Sequence, residues 1–156
     1  MSPDADAALR ALGDELRAIG YDNDGTSALA RFALGHSVPL DDVPGGLGAA
    51  LVDAGVAEEA DAGVRLRFAV LAIDGALSAI PTEGQREDLV YLGADSVLLL
   101  EHARAAATGG GARAADLGTG TGVVAACLAG DYAHVVATDL LLRATAATRQ
   151  TVALNR

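Results

Sequence analysis

Hydrophobic positions recur along this chain with two different periods, and the switches between them lay out its elements. Leu9, Leu12, Leu16 and Ile19 stand three and four residues apart, one face of an amphipathic helix that Gly20 ends. Asp22-Asn23-Asp24-Gly25 is turn chemistry; it is not a calcium loop, because Ala33 stands where the twelve-residue register needs a bidentate Glu. Ser27 caps a second predicted helix reaching Leu34, with Gly35 as its stop, and a third is predicted over Val43–Ala54. The period then changes to two. Val64, Leu66, Phe68 and Val70 alternate with Arg65, Arg67 and Ala69, and a short strand near Val56 precedes them across Asp61-Ala62-Gly63, which predicts a hairpin. Three helices and a hairpin suggest a small helical, winged-helix-like domain over residues 1–80. Residues 81–90 are polar with Pro and Gly and read as a linker. Leu98, Leu99, His102 and Ala105 predict a helix over Ser96–Ala107, broken by Thr108–Ala112.

The last third of the chain alternates strand and helix. An apolar strand ends at Asp116-Leu117, and glycines follow at 118, 120 and 122. A helix is predicted from about Thr121 to Ala129, a strand over Ala133–Asp139, and a helix over Leu140–Asn155. Strand–helix–strand–helix is the building unit of a parallel α/β sheet. The glycines let the backbone bend tightly and let a ligand approach the main chain. Asp139 falls at the carboxyl end of the neighbouring strand, where its two oxygens can accept from both hydroxyls of a ribose. The spacing is not the dinucleotide pattern G-x-G-x-x-G, since Val123 stands at the third glycine position counted from Gly118. A phosphate-binding P-loop is excluded in a chain that contains no Lys.

Asp116-Leu117-Gly118-Thr119-Gly120-Thr121-Gly122 resembles motif I of class I S-adenosylmethionine (SAM) dependent methyltransferases, and Val135-Val136-Ala137-Thr138-Asp139 resembles their second-strand motif. The likeness is to the small-domain group that includes release-factor glutamine methyltransferases and RNA methyltransferases. Ala94-Asp95-Ser96 stands where that group has a Pro-Asp-Thr-like step, and Val152-Ala153-Leu154-Asn155 resembles the close of its second helix. The resemblance covers residues 91–156, while residues 1–80 more loosely resemble the helical front domain of some bacterial members. It implies an α/β fold: the first half of a Rossmann-like, SAM-binding parallel sheet over 91–156. It also implies that Asp116, Gly118, Thr119, Gly120 and Gly122 surround the amino-acid part of SAM, that Asp139 binds the ribose hydroxyls and that Leu140 borders the adenine. Asp95 and Ser96 are further candidates on the cofactor.

The activity so implied is methyl transfer from SAM to a nitrogen or oxygen of a protein, RNA or small-molecule acceptor. The group's Asn-Pro-Pro-Tyr or Phe signature, which holds the nucleophile, follows a fourth strand, and no Asn-Pro pair occurs in 1–156. Catalytic residues are therefore not assigned. The expectation is the first half of a longer enzyme, inactive by itself, whose first two strands expose unpaired edges. The alternative is a non-catalytic binding module that keeps the methyltransferase fold. His36, His102 and His134 are scattered, and His134 reads as a structural residue beside a buried strand.

Composition narrows the partners. Hydrophobic residues make up 51% of the chain and aromatics 3%, so the core is expected to be built from Ala, Leu and Val. The net charge is −10, and residues 1–88 hold six Arg against sixteen Asp or Glu, whereas 89–156 hold five of each. An acidic front part repels phosphate backbones, and the predicted third helix has no Arg with which to read bases; both argue against DNA binding. The single cysteine, Cys127, excludes an internal disulfide and a Cys-rich metal site, and reads as a small core residue. Met1–Arg10 is acidic and lacks a signal-peptide apolar region, and no apolar run approaches the roughly 18 residues of a membrane span. A cytoplasmic protein without a membrane segment or a metal is expected.

Overall fold

The computed structural model describes residues 1–82, 90, 92–106 and 111–156. Helix α1 (Pro3–Ala18) starts earlier than the predicted Leu9–Ile19. Ala5 and Ala8 extend the buried face of Leu9, Leu12 and Leu16, and the Ser2 hydroxyl caps the end by accepting from Ala5 N. Ile19, expected on that face, is exposed where the helix closes. Ser27 caps α2 (Ala28–Ala33), which buries Leu29, Ala30, Phe32 and Ala33. The third helix, α3 (Leu47–Asp53), is shorter than the predicted Val43–Ala54. Gly45 and Gly46 sit at φ 63° and 74°, so the segment before Leu47 forms short 3-10 turns instead of an α-helical turn.

The expected hairpin forms from β1 (Ala57–Ala60) and β2 (Gly63–Leu66), turning at Asp61-Ala62. The predicted alternation from Val64 to Val70 is not one strand. It breaks at Arg67, and β3 (Phe68–Ile73) pairs antiparallel with β4 (Ala76–Pro81), a second hairpin that the periodicity did not announce. Its turn is Asp74-Gly75, both at positive φ (50° and 83°), the conformation that a two-residue hairpin loop with native twist requires. In this antiparallel ladder the backbone groups of Val70, Ala72, Leu77 and Ala79 point away from the partner strand. Side chains meet six of these eight groups. Tyr21 Oη donates to Val70 O (2.6 Å), and Asn23 exchanges two hydrogen bonds with Ala72. On the other edge Thr151 Oγ1 accepts from Ala79 N (2.9 Å), and Asn155 clasps Leu77 by accepting from its N–H (2.9 Å) and donating to its carbonyl (2.6 Å).

Thr151 and Asn155 belong to the second half of the chain. There α4 (Ala94–Ala106), β5 (Gly111–Leu117), α5 (Val123–Leu128), β6 (Tyr132–Thr138) and α6 (Leu142–Leu154) follow one another, and β5 pairs with β6 in parallel, Ala114 opposite Val135 and Asp116 opposite Ala137. The fold is mixed α/β with one parallel pair. Most of the linker expected over 81–90 and part of the break expected over 108–112 lie outside the described residues; Pro81 closes β4, and Gly111 opens β5. The face predicted for α4 is rotated: Leu98 and Leu99 are exposed, and Leu100 is the buried residue. Cys127 is buried as expected, in a cluster with Ala76, Leu100, Val123, Val124 and Leu128. Strand β6 is not buried. Tyr132, Val135 and Ala137 are half-buried and the other four residues exposed, and His134 lies on the same face as Val136, opposite Arg113 and Ala115 of β5. Among the described residues no helix is long and apolar enough to cross a membrane.

The end of α6 is built into the first core, where Ala153 and Leu154 are fully buried beside α1. Arg17 Nη1 donates to Leu154 O (2.8 Å), and Gly13 lets the two helices touch, since a Cβ there would overlap the same carbonyl. In an isolated helix Gly→Ala gains about 1 kcal/mol. Here the overlap outweighs that gain, and Gly13→Ala should lower stability by about 1–2 kcal/mol net, the scale of overpacking in a tight core. Urea unfolding measures it, and a variant more stable than the parent would mean that α1 and α6 do not meet this closely.

Candidate functional site

The chain leaves β5 at Leu117 and enters a loop in which every second residue is left-handed: Gly118, Gly120 and Gly122 at φ 74°, 57° and 80°. Only glycine holds that conformation without strain, so the alternation of the sequence is the alternation of the backbone. The start of the loop is pinned to the end of β6, where Thr138 O accepts from both Gly118 N (2.8 Å) and Thr119 N (2.9 Å). Gly122 then caps α5 and lies directly on α6; a Cβ on it would stand 2.8 Å from Thr148 Cγ2 and 3.0 Å from Thr148 Cα.

Asp139 meets this loop. Its Oδ2 accepts from Gly120 N (2.9 Å) and its Oδ1 from Leu141 N (2.9 Å), so one carboxylate holds the glycine bend and the entry to α6 together. Each oxygen keeps acceptor capacity on the side facing solvent. The hydrogen bonds from Leu141 and then Gly120 hold its pKa below the ordinary 3.8. Asp116, at the end of β5, is buried, and its Oδ2 accepts from the Thr119 hydroxyl (2.7 Å). Asp95 lies in the first turn of α4, with Oδ1 accepting from Ser96 N.

Seven of the residues singled out from sequence line one open pocket of ≈ 270 Å³: Asp95, Ser96, Asp116, Gly118, Thr119, Gly120 and Asp139. Thr121 and Leu141 line it too. Two others lie elsewhere. Gly122 sits beneath the loop against α6, and Leu140 is fully exposed on an adjoining hollow that shares Gly118, Asp139 and Leu141 with this pocket. Sequence reasoning did not single out Thr121, which is 1% exposed, or Thr148, whose Oγ1 donates to Gly120 O (3.2 Å). A threonine in the apolar register of a helix is the only trace that Thr148 leaves in the sequence. None of the three histidines lines the pocket, and the described residues contain no group of His, Cys, Asp and Glu that could hold a metal.

No family model and no curated protein sequence matches this chain.

Asp139 makes the loop sensitive to acid. With the folded pKa lowered, its two backbone hydrogen bonds add stability above the ordinary carboxylate value and lose it as pH falls through the lowered folded value. Carboxyl NMR should give Asp139 a midpoint below 3.8, with the Gly120 amide shift following the same curve. A midpoint at or above 3.8 would mean that the carboxylate does not hold the loop.

Proposed function

We propose that this chain binds SAM through the Gly118–Gly122 loop and Asp139, as the cofactor-binding part of a class I SAM-dependent methyltransferase. The observation that carries the proposal is the meeting of the glycine bend after β5 with the carboxylate that follows β6, Gly120 N to Asp139 Oδ2 at 2.9 Å, on the rim of an open pocket. In this reading β5-α5-β6-α6 opens a Rossmann-like sheet, and α1–α3 with the two hairpins form a winged-helix-like front unit. The protein would work in the cytoplasm on a protein, RNA or small-molecule acceptor.

The charge of the pocket supports SAM over other nucleoside ligands. Among the described residues, Asp95, Asp116 and Asp139 line it, and no Arg does. SAM carries a cationic sulfonium and ammonium against a single carboxylate, a net charge of about +1, whereas dinucleotides and nucleoside triphosphates carry polyphosphate chains that carboxylates would repel. The six-residue α5 is too short to supply a strong dipole for phosphate. The residues present therefore fit the cofactor: Asp139 would take the ribose hydroxyls, and Asp116 with the loop would face the amino-acid end. Gly118 leaves its surroundings open: among the described residues, none beyond its chain neighbours comes within 4 Å of where a Cβ would stand. SAM supplies the electrophilic methyl group; the protein's part is to hold it in line with an acceptor, a matter of proximity and orientation.

Isothermal titration calorimetry tests the assignment. SAM should bind, and NAD and ATP should not. Asp139→Ala should cost about 1.5–3 kcal/mol for each charged hydrogen bond lost, an affinity drop on the order of tenfold to a hundredfold. Binding of NAD or ATP in place of SAM would overturn the cofactor, and unchanged SAM affinity in the variant would overturn the role of Asp139.

A further inference from the structure

Half of the buried residues of helix α6 are alanine: Ala144, Ala147 and Ala153 are each about as inaccessible as the core leucines. Three polar residues interrupt that apolar register. Thr148, Thr151 and Asn155 stand at positions i, i+3 and i+7, a single line along the helix. Thr148 and Thr151 are buried, at 8% and 0% exposure, and a buried hydroxyl without a partner costs free energy that Ala would not.

Each of the three reaches the backbone of another element. Thr148 Oγ1 donates to Gly120 O, Thr151 Oγ1 accepts from Ala79 N, and Asn155 clasps both backbone groups of Leu77. The contrast within the helix is Thr145, whose hydroxyl turns back to its own helix at Leu142 O, the default for a helical threonine. The loop end of the line is tight: the Thr148 methyl fills the space that a side chain on Gly122 would need. With Asp139 on its N–H and Thr148 on its carbonyl, Gly120 is gripped from both sides. A loop with three left-handed glycines has little intrinsic preference for one shape, so its shape must be imposed by what it touches.

We propose that Thr148 is a positioning residue for the glycine loop, and that Thr148, Thr151 and Asn155 make α6 a strut through which the β3–β4 hairpin of the front half fixes the geometry of the cofactor pocket. The front half is then part of the binding apparatus, and its integrity sets ligand affinity at the opposite end of α6. The ligand arm of the proposal rests on the SAM reading above; the loop arm does not.

The test compares Thr148→Val, which keeps the shape and loses the hydroxyl, with Thr148→Ser, which keeps the hydroxyl, and with Asn155→Ala at the far end. Amide hydrogen exchange at Gly118–Gly122 is followed by NMR in the ligand-free full chain, and SAM affinity by calorimetry. In Thr148→Val, loop exchange should rise and SAM affinity fall by about fivefold, the scale of one net hydrogen bond, while Thr148→Ser stays close to the parent. Asn155→Ala should raise exchange at the same glycines although it touches none of them. Unchanged loop exchange in Thr148→Val overturns the positioning role, and unchanged exchange in Asn155→Ala overturns the strut. If the parent chain does not bind SAM but Thr148→Val still loosens the loop, the positioning role stands and the cofactor falls. If SAM binds equally well to parent and Thr148→Val with no change in exchange, the cofactor stands and the positioning role falls. Should Thr148→Val fail to fold, Asn155→Ala carries the same exchange readout.

Discussion

A two-stranded hairpin has as many unpaired backbone groups as paired ones, and the rest of this structure follows from how β3–β4 satisfies them. Six of the eight outward groups at Val70, Ala72, Leu77 and Ala79 are met by side chains: Tyr21 and Asn23 on one edge, Thr151 and Asn155 on the other. A lone hairpin is marginal in water, and an open edge invites pairing with another chain. Occupying both edges with Tyr, Asn and Thr side chains counters that hazard, and it also ties residues 21–23 to β3 and 151–155 to β4 of the same hairpin. Because α6 must lie along β4 to do this, its last turn enters the first core, where Leu154 is fully buried and Gly13 admits its carbonyl. Burial reinforces the closure: the Tyr21 hydroxyl on Val70 is pushed up to about 12 by desolvation and by the nearby Asp24 and Asp22, so it stays a donor throughout the neutral range.

With one end of α6 fixed, the other is carried to the carboxyl ends of β5 and β6. The parallel pair is covered on one face only. Asp116, Ala114, Val135 and Ala137 turn toward the helices, while Leu117 (79% exposed), Val136 (58%) and His134 lie on the open face. Parallel strands ordinarily have both faces covered. On the covered side, the small side chains of α5 and α6 let the loop lie close to the helices. That closeness allows Thr148 and Asp139 to reach the same glycine peptide.

The order of elements in the second half was legible because each strand there ends at an acidic residue and a change of period, and because glycines at alternate positions have few other uses. Asp116, the loop and Asp139 stand together where their spacing suggested. The β3–β4 hairpin was harder to read. Its strands, Phe68–Ile73 and Ala76–Pro81, are apolar on both faces, so they show no alternation, and the one local signal, Asp74-Gly75, is a dipeptide inside an apolar run. Arg67 concealed the break between β2 and β3 by preserving the alternation across it. The rotation of α4 was hidden because Val97, Leu98, Leu99 and Leu100 are all apolar, and only packing against α5 selects Leu100. Thr148 could not be assigned from sequence, because its role depends on a carbonyl 28 residues away in the chain.

The two ends of α6 solve opposite problems with the same chemistry. At β4 the acceptors and donors belong to a regular strand whose positions the ladder already sets, so Thr151 and Asn155 add fixity to something fixed. At the loop the partner is a glycine peptide with no ladder of its own, so Thr148 and Asp139 supply the order that the backbone lacks. An anion-binding loop would present its free N–H groups to the ligand. Here Gly118 N and Thr119 N are bound to Thr138 O and Gly120 N to Asp139, so the first N–H groups of the bend are already taken. What the loop offers a ligand is therefore acceptors and carboxylates, and a ligand rich in hydroxyls and positive charge is the kind that such a surface holds.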